Sequence, residues 1–269
     1  MSPLPPVKDV KLGFEAGVLS ILFNRPDAKN ALSREMVGDV AAAVDWAAGD
    51  NGVRIVVMRG AGGTFCAGGD IKGFRENWQL AEKGDERAIA ANNRRYGALL
   101  ERMVAMPQAI VACVEGAAVG GGFGFACVAD VVLATEDARF GMPEAGMGLL
   151  PAQIAPFVQR RVGTSQAVRL AVTLARVGGE EALRLGIVHR LVKDGAALDA
   201  ALAETVAAIK KAAPGAVGET KRLFAACANT PLGSSLDEAA FAFARAMKGA
   251  EAQEGVKAFI DKRKPGWAT

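Results

Sequence analysis

Short apolar runs bounded by glycine, proline and aspartate alternate along this chain with longer stretches of helical period. Residues 18–23, VLSILF, are β-branched and apolar and predict a strand that Pro26 cannot continue. Ser33 stands where a helix N-cap belongs. Met36, Val40, Val44 and Ala47 then recur on one helical face. The cluster Gly49-Asp50-Asn51-Gly52 predicts a turn, and residues 54–59, RIVVMR, a second buried strand. Strand, helix and strand within about 40 residues form a βαβ unit with a parallel pair.

The same alternation returns downstream. Residues 77–106 read as one mixed-charge helix closed by Pro107, followed by a strand at 109–114 (AIVACV). Residues 116–129 are small and apolar, 130–135 (DVVLAT) predict another strand, and 186–192 a further one that carries His189. From about residue 195 to 263 only Ala-rich helical patterns remain, broken near Pro214, Pro231 and Gly249. The expectation is an α/β core over residues 1–194 and a helical segment over 195–269.

Composition narrows the chemistry. With 269 residues and 51% hydrophobic content the chain can bury a sizeable core, and a net charge of +3 gives no support for a nucleic-acid partner. One histidine, His189, rules out any two-histidine metal site. The four cysteines form no CxxC pair, so zinc ribbons and thioredoxin-type redox sites are not expected. The uncharged runs at 116–129 and 145–159 are too short and too interrupted to span a bilayer, and MSPLPPVKDV lacks the pattern of a signal peptide. A cytoplasmic protein with no metal and no membrane partner is expected.

Three glycine-containing loops follow strands: residues 60–71 (GAGGTFCAGGDI), 116–124 (GAAVGGGFG) and 141–150 (GMPEAGMGLL). None has dinucleotide or P-loop spacing. Glycine clusters expose backbone N–H groups, and two donors from separate loops can converge on one oxygen, as an oxyanion hole requires.

Five stretches carry a resemblance. Asn24-Arg25-Pro26 with Lys29-Asn30-Ala31-Leu32, then Phe65-Cys66-Ala67-Gly68-Gly69-Asp70-Ile71, come first. Gly120-Gly121-Gly122, Phe140-Gly141-Met142-Pro143-Glu144 and Phe259-Ile260-Asp261-Lys262-Arg263 complete the set. In this order they resemble the enoyl-CoA hydratase/isomerase (crotonase) superfamily. The resemblance implies a spiral of ββα units with a helical C-terminal trimerisation segment, assembled as a homotrimer or homohexamer. It implies an acyl-CoA thioester substrate, with CoA arriving as part of that substrate and no separate cofactor. The thioester oxygen would sit between the N–H groups of Gly69 and Gly121. Glu144 would be the catalytic acid/base. Lys29, Ala31, Ala67, Asp70, Ile71 and Lys72 match positions around the CoA, and Phe259 and Lys262 match residues that reach a neighbouring subunit's CoA.

The pattern departs from the family at one place. A second catalytic glutamate is expected four residues beyond Gly120, and this chain has Gly124 there. Three explanations stand side by side. Glu144 handles both proton transfers of a hydration, or a carboxylate on the substrate helps to hold the water, or the reaction is a Δ3/Δ2 double-bond shift that needs one base. A non-catalytic thioester binder is a further alternative. Residues 120–126 and 149–158 resemble bacterial hydratases for glutaconyl-type thioesters, which favours hydration. Other conspicuous residues have structural readings: Asp70 as a helix cap, Cys66 and His189 as packing, and Arg160-Arg161 as a solvated helix end.

Overall fold

The computed structural model describes residues 2–49, 52–228 and 230–268, and the Ile71 side chain lies outside the described residues. Asp50 and Asn51 of the expected turn also lie outside them. Six strands form the main sheet: β1 (Val10–Glu15), β2 (Val18–Phe23), β3 (Ile55–Gly60), β4 (Ala109–Val114), β6 (Val131–Thr135) and β9 (Arg190–Val192). They lie in that order; β1 and β2 form an antiparallel hairpin, and every later neighbour is parallel. A second, three-stranded sheet joins β5 (Ala117–Val119), β7 (Arg139–Gly141) and β8 (Arg176–Gly178).

The parallel strands are apolar on both faces because both faces are covered. Val56, Met58, Ile110, Ala112, Val132 and Ala134 enter the larger core, with α1 (Arg34–Gly49), α3 (Glu86–Ala105) and α4 (Gly121–Val128). The alternate residues Ile55, Val57, Val111, Cys113 and Leu133 face the other way. They meet Leu198 and Ala201 of α7 (Gly195–Ile209). The expected division at 194/195 falls just before α7, which still packs on the sheet, and the next helix, α8 (Pro214–Cys227), buries no residue. Beyond it lie α9 (Leu232–Lys248) and α10 (Ala250–Ile260), separated near Pro231 and Gly249 as the sequence breaks predict.

Several local expectations hold. The Met36 N–H donates to Ser33 Oγ at 2.9 Å, and the apolar stripe Met36, Val40, Val44 and Ala47 is buried. Others need correction. The helix expected over 77–106 is two helices, α2 (Ile71–Glu82) and α3. Gly84 at φ 71 breaks them, and Asp85 caps α3 by accepting from the Ala88 N–H at 3.0 Å. Arg161, in α5 (Ala155–Val172), is not solvated. Its guanidinium donates to the carbonyls of Cys127 and Ala129, closing the C-terminus of α4. It also meets His189 Nε2 at 3.2 Å, while His189 Nδ1 accepts the Val132 N–H at 2.9 Å. That histidine ties β9 to β6, as a structural residue would. Among the described residues no helix is long and apolar enough to cross a membrane, and no cluster of metal-ligating side chains occurs.

Candidate active site

The site lies at the carboxyl ends of β3 and β4, where parallel sheets expose their loops. The segment after β3 folds back beside β5: the Cys66 N–H donates to Ala117 O at 2.8 Å, and the Val119 N–H to Cys66 O at 3.0 Å. This pairing sets the two glycine loops against each other. A Cβ built on Gly68, at φ 97, would lie 3.1 Å from Val119 O and 3.8 Å from Gly120 Cα. Only glycine lets two backbones approach so closely at that dihedral.

The first motif acts as a pin for these loops. Asn30 is buried; its side chain accepts the Arg25 N–H at 2.9 Å and donates to Ala61 O at 2.9 Å and Thr64 O at 2.6 Å. Ala67 N–H donates to Lys29 O at 3.0 Å, and Leu32 bridges Gly69 in parallel. That bridge uses Gly68 O and the Asp70 N–H, so the Gly69 N–H takes no part in it. Gly121 opens α4, where a backbone N–H has no partner within its own helix. Each loop thus offers one N–H outside the local ladder.

Asp70 caps α2, accepting the Lys72 N–H at 2.8 Å and pairing with Arg25 at 2.7 Å. Burial opposes its charge, but the Lys72 N–H and the Arg25 guanidinium outweigh it and hold its carboxyl below the ordinary range. Arg25 also donates to Ala31 O at 2.5 Å. Lys29 and Lys72 are exposed at the rim, Ala31 and Ala67 are half-buried, and Ile71 opens α2. Cys66 is fully buried, and burial pushes its thiol up to about 12, so it is packing rather than a nucleophile.

Glu144 begins the short turn Glu144–Met147 after β7. Its Oε1 lies 3.0 Å from where a Cβ on Gly120 would stand. Its Oε2 is buried with no hydrogen-bond partner among the described residues. Desolvation raises its pKa. Burial outweighs the Glu144 backbone N–H, which favours the charged form, and a carboxyl group raised in this way has the protonation tuning that acid/base work needs.

Phe259 and Lys262 are not brought to this site within one chain. Arg263 and Trp267, just beyond them, line a cavity of about 730 Å³ with Ala16 and Arg54, beside the start of β3. That is the opposite end of the strand from Gly69. Phe259 itself is 85% exposed.

Phe74 and Tyr96 at the site carry no sequence motif, and Ile154 lies in the stretch 149–158 without being singled out. The Phe74 ring sits 3.0 Å from a Cβ built on Gly69. At Gly124, a Cβ would come within 2.5 Å of Ile154 Cγ2 and 3.0 Å of the Tyr96 hydroxyl. The place of the expected second carboxylate is therefore filled. Tyr96 lies in the charged helix α3, and the one signal in the sequence is that it is the chain's sole tyrosine.

A largely parallel sheet covered on both faces agrees with the comparisons. The enoyl-CoA hydratase/isomerase family model matches residues 13–269, and the chain belongs to that family. It has the crotonase fold, mixed α/β, that the resemblance implied. The structure of Pseudomonas aeruginosa AtuE superposes with a TM-score of 0.93 at 50% identity, covering 97% of this chain and 100% of that one. An enoyl-CoA hydratase/isomerase from Marinobacter aquaeolei gives 0.90 at 38% identity, covering 97% and 99%. In sequence, a putative enoyl-CoA hydratase of Thermus thermophilus is 35% identical over 254 residues, 93% of this chain and 98% of the relative.

Proposed function

We propose that this chain is an enoyl-CoA hydratase, adding water across the C2=C3 bond of a 2-enoyl-CoA thioester. The observation that carries the reading is Glu144, with one carboxylate oxygen buried and unpartnered beside the two glycine loops. The Gly69 and Gly121 N–H groups bind the thioester oxygen, where negative charge grows as water attacks C3. Fixed dipoles stabilise that charge without reorganising, and losing one such donor costs roughly 2.7–4 kcal/mol in acyl-transfer enzymes. Glu144 takes a proton from the water and returns a proton to C2. Lys29, Ala31, Ala67, Asp70, Ile71 and Lys72 frame the CoA, which enters as part of the substrate, so no separate cofactor is needed.

The proposed assembly is a homotrimer or homohexamer, with Phe259 and Lys262 supplied to a neighbouring copy's CoA by the helical segment 195–269. Support comes from the large apolar side chains exposed on α8, α9 and α10, including Phe224, Leu232, Phe241, Phe243 and Phe259. A branched glutaconyl-type substrate in acyl-CoA catabolism in the cytoplasm is the finer reading. The stretches 120–126 and 149–158 that suggest it meet at Gly124 and Ile154, and such a substrate brings its own carboxylate.

A second reading is a Δ3,Δ2-enoyl-CoA isomerase with Glu144 as sole base, favoured by the filled space at Gly124. Turnover in oxygen-labelled water separates the two. The substrates are crotonyl-CoA, a 3-enoyl-CoA and 3-methylglutaconyl-CoA, with Glu144→Gln as control. Label entering the product in the wild type and not in the control supports the hydratase. A shifted double bond without label overturns it in favour of the isomerase.

A further inference from the structure

Gly124 leaves open what holds the attacking water once the second carboxylate is gone. Residues 120 and 124 are one helical turn apart, and the Gly124 N–H donates to Gly120 O at 3.1 Å. Gly120 is the N-cap of α4, at φ 52 and outside the helix, and Gly124 lies one turn in. The Glu144 carboxylate sits against Gly120, and the Tyr96 hydroxyl against Gly124, each 3.0 Å from the position a Cβ would take. Both groups thus border the opening turn of α4.

The hydroxyl is firmly placed. It donates to Gly121 O, and its ring lies 3.5 Å from a Cβ built on Gly121, edge-on to Phe125 at a centroid distance of 5.3 Å. With its hydrogen committed to Gly121, the oxygen faces any further partner as an acceptor. Burial first, and the nearby Glu144 charge among lesser causes, keep this phenol protonated well beyond its ordinary range. The Phe125 N–H already faces the Tyr96 oxygen, while Oε2 of Glu144 is buried with no hydrogen-bond partner among the described residues.

We propose that Tyr96 is a further catalytic residue, its hydroxyl oxygen and the Glu144 carboxylate together holding the water that attacks C3. The water donates one O–H to each. The O–H directed at Glu144 breaks as the water oxygen bonds C3, and the C2=C3 electron pair moves toward the thioester oxygen at Gly69 and Gly121. The resulting enolate takes a proton from Glu144 at C2, so one water is added and Glu144 is returned to its starting form. Tyr96 keeps its proton throughout. Gly124 is then required by this arrangement, since a side chain there would displace the phenol. The inference rests on the hydratase reading.

The test separates water-holding from support of the oxyanion site. Exchange of the C2 hydrogens of a saturated thioester, butyryl-CoA in deuterated water, needs Glu144 and the two N–H donors but no attacking water. Tyr96→Phe is expected to lower kcat for hydration at least thirtyfold, with KM and C2 exchange changed less than threefold. Because Tyr96 is the sole tyrosine, 3-fluorotyrosine incorporated biosynthetically changes this hydroxyl alone among the chain's phenols and keeps its shape. If Tyr96→Phe does not fold, that protein is expected to lose hydration severalfold and keep exchange. Parallel loss of hydration and exchange overturns the proposal, because Tyr96 then acts through Gly121. Unchanged hydration overturns it as well. Failure of the wild type to incorporate labelled water overturns the hydratase reading itself.

Discussion

Helix α4 and the helices α8 to α10 are built on opposite principles. All seven residues of α4 from Gly122 to Val128 are buried, and its glycines stand where neighbours leave no room. In α8 no residue is buried, in α9 only Ser235, and in α10 only Ala258. Their phenylalanines lie open, Phe241 at 67% and Phe243 at 69% exposure. The first region is finished within one chain and tolerates no added atom. The second carries the apolar stripe of a core helix with nothing from its own chain over it, the surface that the proposed assembly would cover.

The largest effect that sharpens this contrast is at Glu144. Replacement by Gln removes the acid/base and is expected to lower hydration by about 10³–10⁴, measured as kcat on the preferred thioester. Gly122→Ala tests whether α4 is as intolerant as its packing says. The added Cβ would fall inside van der Waals contact of the Cys66 carbonyl and 2.8 Å from Cys66 Cβ. A loss of roughly 1–3 kcal/mol in denaturant unfolding is expected, with hydration falling through displacement of Gly121. Phe241→Glu in α9 should leave the fold intact and shift sedimentation toward the monomer, with activity lost in proportion to assembly. A variant that remains assembled would break the contrast.

The smallest effect is one of pH. Desolvation raises the Glu144 pKa, so the acid limb of kcat should lie above the ordinary glutamate value of about 4.3, and activity should fall as pH drops through the raised value. The sign for stability is opposite. The folded chain holds this proton more tightly than the unfolded one, so stability from this group is lost as pH rises through that window. Glu144→Gln should therefore raise Tm at neutral pH, measured by thermal unfolding. The difference should vanish below the ordinary glutamate pKa.

The sequence was informative where one local rule decides. Ser33 and Asp70 are caps because a short oxygen side chain before a helix has few other uses. The strands 109–114 and 18–23 are apolar enough to be read directly. The three-residue strands β5, β7 and β8 escaped, since a run that short has no period. The α2–α3 break rests on Gly84 inside a charged stretch that reads as continuous helix. Arg161 looked like a surface cation because its partners are backbone carbonyls more than thirty residues earlier. Of the site, the glycine loops and Glu144 stood out through their motifs. Tyr96 did not, since what gives it meaning is the absence of a side chain at residue 124, and only the fold brings the two together.

Arg54 ties together parts of the chain that are far apart in order. Its guanidinium donates to Lys210 O at 3.0 Å, Ala212 O at 2.7 Å and Trp267 O at 2.7 Å. Those links span 156, 158 and 213 residues. Loops that long are closed late, after the local β-α contacts have formed, because their entropy must be met before the bonds can form. Bonds that form after the main barrier slow the native chain's undoing rather than speed its formation, so Arg54→Ala is expected to raise the unfolding rate more than it lowers the refolding rate.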